Sequence, residues 1–220
     1  QIYVTIYGTN DAAVIGGVSI GAVTEDTGVV AGHLSTSGAL SISDADQGQA
    51  DFVVQTATTG NHGYGTFTLD ALGNWTYSAD NSLTAIQQLG AGQSITDSFT
   101  AVSFEGSASR IVTVTIYGTN DAAVIGTPTV HDVTEDVDVS AGYLTATGKI
   151  SISDVDTDED HFQTTVTGAA GNLGNLVLAA DGSYTYSVLN GAAETVASTH
   201  IDTFTVTAAD GTTKDVSFTI

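Results

Sequence analysis

The chain has 220 residues with 41% hydrophobic composition, 25 acidic side chains against 3 basic ones, and a formal charge of -22. That charge excludes docking to nucleic acid or to an anionic membrane through a basic patch, and it makes a cation the sensible partner. With no cysteine there is no disulfide framework, no thiolate metal site and no thiol nucleophile.

In chain order, the first recognisable element is VTIYGTNDAAVIG, Val4 to Gly16, which returns letter for letter at Val114 to Gly126. Identity over that length, at an offset of 110 (from 4 to 114), marks a duplicated unit. Two domains are therefore expected, 1–120 and 121–220, each near ordinary domain size. The strand candidates of the first unit alternate β-branched or aromatic residues with small polar ones, between punctuation by Gly, Asn and Asp. They fall near Ala13 to Val23, Ala39 to Ser43, Phe52 to Thr56, Gly65 to Leu69, Trp75 to Ser78, Phe99 to Phe104 and Ile111 to Tyr117. Ser82 to Leu89 and, in the second copy, Ala192 to Ala197 allow a turn or two of helix at most. This succession predicts an all-β fold of two tandem immunoglobulin-like antiparallel β-sandwich domains. The chain begins at Gln1, contains no Met, and has neither a signal-like leader nor an apolar run long enough to span a bilayer. It reads as an excised piece of a longer polypeptide, soluble in itself and not inserted in a membrane.

The second copy keeps the order of the first. Thr24-Glu25-Asp26 falls on Thr134-Glu135-Asp136, and Ser41 to Asp46 falls on Ser151 to Asp156. After small deletions, Trp75-Thr76-Tyr77 meets Tyr184-Thr185-Tyr186, Asp97 meets Asp202, and Glu105-Gly106 meets Asp210-Gly211. Antiparallel strands reverse direction, so each connection can be assigned to one end of a sandwich. On that basis Glu25, Asp26 and Asp97 belong to the trailing end of the first unit, with Asn120 and Asp121 at the joint and Asp154, Asp156 and Asp210 at the leading end of the second. These residues are expected to converge. Two unit charges about 4 Å apart repel by roughly 4 kcal/mol at an effective dielectric near 20, so such a group needs a cation. Ca2+ takes six to eight oxygen ligands in flexible geometry, whereas transition metals ask for His or Cys. One to three Ca2+ ions are expected there. Asn10, Asp11, Asp44, Asp46 and Glu105 form the equivalent half-site of the first unit, expected to fill less completely.

The runs SISDADQG, GYGTFTLDALGNWTYSADNS, TDSFTAVSFEG and VTIYGTNDA together resemble the VCBS-type repeat of large secreted bacterial RTX adhesins. The Asn-Asp joint and the Asp-x-Asp loop are similar to cadherin calcium motifs. The resemblance implies cadherin-like extender domains, rigidified by calcium, at an extracellular bacterial cell surface, with neighbouring repeats of the same chain as partners and a monomeric state. In the second copy Gly171-Asn172-Leu173-Gly174 stands where the first has His62-Gly63-Tyr64-Gly65, a change expected to touch no ligand. Asp158, Glu159 and Asp160 add acidity beside Asp154 and Asp156, enough for an extra ion within the domain.

Other readings of the same residues are blander. Asp70 and Asp181 suit solvated turns, and Asp97 and Asp202, at strand starts, suit capping of backbone amides as well as metal binding. The five His residues do not recur at matching positions, and no GxSxG pattern supports a nucleophile. Trp75 is the sole Trp, too little for a sugar-binding cleft, and reads as core. No enzyme activity is expected. The function expected is that of calcium-rigidified extender repeats of a surface adhesin that supports cell adhesion and biofilm formation. The alternative is a calcium-dependent carbohydrate- or protein-binding module.

Overall fold

Alternation of buried and exposed residues along the strands sets the architecture. In the computed structural model, which describes all 220 residues, Gln1–Ile220, the chain divides into two units, Gln1–Thr119 and Asn120–Ile220.

In unit 1 the strands are β1 (Val14–Gly17), β2 (Ile20–Thr24), β3 (His33–Ser43), β4 (Gln55–Thr59), β5 (Gly65–Leu69) and β6 (Asn74–Asp80), then the single turn α1 (Thr84–Gln87), β7 (Ser94–Val102) and β8 (Ser109–Tyr117). One sheet runs β1-β3-β6-β5-β4 and the other β2-β8-β7. Trp75 and Tyr77 of β6 and Val112, Val114 and Ile116 of β8 point inward and are fully buried. Across the core, Phe67 of β5 meets Phe99 of β7 with ring centroids 4.6 Å apart. Trp75 is core, with its indole Nε1 donating to the Val18 carbonyl at 2.8 Å. Gly38 is required beneath it, since an added Cβ would come within 2.5 Å of the indole ring.

The single first strand expected over Ala13 to Val23 is two strands in different sheets. β1 pairs antiparallel with β3, and β2 pairs parallel with β8. The break comes at Gly17, whose φ is +84° and where an added Cβ would come within 2.6 Å of the Ala39 carbonyl oxygen, leaving no room for a side chain. A second difference concerns VTIY: Val114 to Tyr117 closes β8, while the identical Val4 to Tyr7 is exposed and outside any strand.

Unit 2 contains β9 (Val124–Ile125), β10 (Tyr143–Lys149), β11 (Ile152–Ser153), β12 (Thr167–Gly168), β13 (Asn175–Leu178), β14 (Ser183–Leu189), the turn α2 (Asn190–Ala193), β15 (Ile201–Thr207) and β16 (Thr213–Thr219). Its sheets are β10-β14-β13, β11-β9 and β12-β15-β16. Tyr186 of β14 stacks on Phe218 of β16 at 4.4 Å across the core. Tyr184, in place of Trp75, keeps the polar tip: its hydroxyl donates to the Val130 carbonyl and accepts the Val130 amide. The counterpart of β2 shrinks to one parallel bridge between Asp132 and Thr219. Pro128 stands where Val18 donates to the Ala39 carbonyl, and proline has no donor to offer. No helix of the chain is long and apolar enough to cross a membrane.

Candidate metal site

Three chain segments build the leading end of each unit: the incoming Asn-Asp pair, the Asp-x-Asp loop after β3 in unit 1 and β11 in unit 2, and the last hairpin turn. In unit 1 the Asp46 amide donates to Asp44 Oδ1 at 2.8 Å, folding the loop on itself. The Asp11 amide donates to Asp46 Oδ2 at 2.8 Å, which ties the incoming segment to that loop, and the Asn10 side-chain amide donates to the Asp11 carbonyl. Glu105 Oε1 accepts the Ser103 and Ser107 hydroxyls, and the Ser107 hydroxyl above all holds its carboxyl below the usual range.

Unit 2 repeats this arrangement. Asp156 receives the Asp121 amide on Oδ2 at 2.8 Å, and its own amide donates to Asp154 Oδ1 at 3.0 Å. Asp210 accepts the Thr212 amide and hydroxyl, the Ala123 amide at 3.2 Å and the Asn120 side-chain amide at 3.5 Å. Burial alone would raise the Asp210 carboxyl; these donors outweigh it and hold the carboxyl low. Asp156 is only 2% exposed.

What remains at both ends is a set of buried oxygens without hydrogen-bond partners. In unit 1 they are Asp44 Oδ2, Gln49 Oε1 and Glu105 Oε2; in unit 2 they are Asp154 Oδ2, Asp156 Oδ1 and Glu159 Oε2. Buried polar oxygens are normally satisfied, and one left bare costs about 1–3 kcal/mol or more when charged. All six belong to carboxylates or a carboxamide, the donors a hard cation takes, so the residues present fit Ca2+. No three acidic or imidazole side chains are, however, already drawn into a metal cage. The parts lie at one end of each unit and the charges are not clenched together.

Gln49 was not among the expected ligands, and Glu159 was expected only as added acidity beside Asp154 and Asp156. Gln49 and Glu159 share the offset of 110 and stand three residues after Asp46 and Asp156, but a search for matched acids passes over a Gln. Burial, followed by the charges of Asp156, Asp154 and Asp210, raises the Glu159 carboxyl above its usual range.

The other expected ligands are placed differently. Glu25 is fully buried at the trailing end of unit 1, where its Oε1 accepts the Thr119 amide at 2.9 Å. Asp26, at a φ of 54°, exchanges hydrogen bonds with Asn81: its amide donates to Asn81 Oδ1, and Asn81 Nδ2 donates to Asp26 Oδ1. Asp136 and Asn190 repeat that exchange in unit 2, while Glu135 is exposed.

Asp97 is the clear correction. Its Oδ1 accepts the His62 and Ser98 amides, and its Oδ2 accepts the Tyr64 and Gly65 amides and the Tyr77 hydroxyl. A carboxylate offers about four lone-pair sites, so nothing is left for an ion. Asp202 plays the same part, accepting the Leu173 and Gly174 amides, the Tyr186 hydroxyl and His200 Nε2. Both tyrosines are pushed upward, by burial first and then by the adjoining carboxylate. The 62–65 and 171–174 loops therefore do touch an expected ligand, since they supply the amides that occupy it.

A family model described as "Bacterial cadherin-like domain" matches residues 10–118 and again 120–220. Among solved structures, the protocadherin gammaB4 extracellular domain aligns with a TM-score of 0.54 at 15% identity, over 97% of this chain and 32% of that one. Protocadherin gammaB7 extracellular cadherin domains 1–4 align at 0.53 and 15%, over 94% and 49%. The protocadherin gammaB7 EC3–6 cis-dimer structure aligns at 0.51 and 18%, over 96% and 47%. At these identities the likeness establishes the fold alone, and the chain spans about half or less of each structure's length. The chain matches no curated protein.

Proposed function

Because the chain belongs to the bacterial cadherin-like domain family, through both of its halves, we propose that it is a pair of calcium-stiffened extender domains from a secreted RTX-type adhesin serving cell adhesion and biofilm formation. The family is one of structural and adhesion-type extracellular modules. The observation that carries the calcium reading is the trio of buried, unpartnered oxygens on Asp154, Asp156 and Glu159. The proposed ligands at the leading end of unit 2 are Asn120, Asp121, Asp154, Asp156 and Asp210. Asn10, Asp11, Asp44, Asp46 and Glu105 serve unit 1, and Glu25 and Asp26 serve its trailing end.

Stiffening follows from where the ligands sit in the sequence. Asn120 and Asp121 directly follow Thr119, the last residue of unit 1. An ion that fixes this pair to the Asp154–Asp156 loop removes backbone freedom at the boundary. Without it the acidic side chains repel and the boundary bends. Extracellular calcium modules commonly bind with Kd of about 10⁻⁴ to 10⁻³ M, so the sites fill outside a cell and stay empty during export.

Small-angle scattering in CaCl2 and then in EGTA tests the reading. The pair-distance distribution is expected to shorten and broaden on chelation. A distribution indifferent to EGTA, with no heat in a calcium titration, overturns it. An invariant shape with glycan binding favours a calcium-dependent carbohydrate-binding module instead.

A further inference from the structure

We infer that the residue three places after the second Asp of the loop, Gln49 in unit 1 and Glu159 in unit 2, is an additional calcium ligand whose charge gives the two units different affinities, unit 2 the tighter. The inference rests on the calcium reading above and adds a residue and a ranking to it.

The two loops have one conformation despite their different sequences. Gly48 at a φ of 81° and Asp158 at 66° occupy the same left-handed position. The Gln49 and Glu159 amides both donate at 3.3 Å, to the carbonyls of Asp46 and Asp156. Their own carbonyls accept from Asp51 and His161 at 2.9 and 2.8 Å. With the backbone held twice over in the same way, the two side chains leave it at equivalent points. Each ends in a buried oxygen that no protein group satisfies: in unit 1 the amide oxygen Gln49 Oε1, in unit 2 the carboxylate oxygen Glu159 Oε2. Beside Glu159 stands Asp156, 98% buried (2% exposed) with Oδ1 also unpartnered. A Glu kept only to hold the loop would be met by donors; this one leaves Oε2 unpartnered, with the charges of Asp156, Asp154 and Asp210 around it outweighing that of His161. That placement is costly unless a cation joins it.

Charge count separates the units. Among the proposed ligands, the leading end of unit 1 carries Asp11, Asp44, Asp46 and Glu105, and that of unit 2 carries Asp121, Asp154, Asp156, Glu159 and Asp210; the exposed Asp158 and Asp160 add further charge beside the latter. One further anionic ligand strengthens a calcium site, as ligand charge is a main means by which such sites are tuned. The same charge destabilises the calcium-free unit through repulsion. Glu159→Gln should therefore act in opposite directions on the two states, which a merely structural residue would not do.

The experiment is calcium titration calorimetry on the whole chain, with thermal melts in EGTA, for the wild type, Glu159→Gln and Gln49→Glu. The wild type should show separate tighter and weaker classes of site. Glu159→Gln should weaken the tighter class about tenfold and raise the melting temperature in EGTA. Gln49→Glu should strengthen the weaker class and lower that temperature, so the pair remains informative should one variant fold poorly. Calcium binding that neither substitution alters overturns this inference and leaves the calcium reading standing. No calcium binding by the wild type overturns the calcium reading itself.

Discussion

Asp97 lies fully buried with its negative charge surrounded by amides. Its replacement leaves those donors without an acceptor in a dry interior, each at the cost of an unmade hydrogen bond. Asp97→Ala is expected to destabilise unit 1 by about 3 kcal/mol or more, read from denaturant melts, while calcium affinity stays as in the wild type; an altered affinity would return Asp97 to the ligand set. From sequence this residue could be read as ligand or as cap, because the difference lies in where a loop more than thirty residues away points its N–H groups. Asp70 is simpler. Its carboxylate accepts the Asn74 amide and side chain inside one hairpin turn, so the turn reading needed only local letters. The Asp44-x-Asp46 and Asp154-x-Asp156 loops were likewise legible from spacing. Gln49 was not, since nothing local distinguishes an amide oxygen turned inward from one in water.

At the level of the strand, identical letters take different structures. Ile116 of β8 is fully buried, and Ile6, its twin, is 90% exposed. The difference is in partners: β8 lies between β2 and β7, and Val4 to Tyr7 lies in no ladder. Strand propensity is largely a preference for such a half-buried setting, and it does not act where there is none. Hydrogen exchange should show Val114 to Tyr117 protected close to the limit set by global unfolding and Val4 to Tyr7 exchanging near the free rate. Equal protection of the two would contradict the structure. The same dependence on partners explains how far the strands could be placed in advance. Gly65 to Leu69 matches β5 in both bounds, because turns close it on either side. The first strand was expected to be continuous, because alternation of residue types does not reveal a change of sheet.

For the whole molecule, the charge of -22 acts against compactness until counter-ions gather. NaCl should raise the melting temperature of the calcium-free chain modestly through screening. CaCl2 at equal ionic strength should raise it further, since binding stabilises the folded chain by about 2.7 kcal/mol per site at one hundred times Kd. Equal effects of the two salts would mean that calcium acts only as ionic atmosphere. The parallel ladder of β2 on β8 has a mechanical consequence. Tension applied to unit 1 from Asn10 and Thr119 pulls β2 and β8 past each other lengthwise, so the bonds between Ile20–Thr24 and Thr113–Tyr117 share the load and must break together. Unit 2 offers the single bridge of Asp132 to Thr219 at that place. A tether made of such modules would give way there first, letting out slack from its weaker member while the stronger one still holds the line.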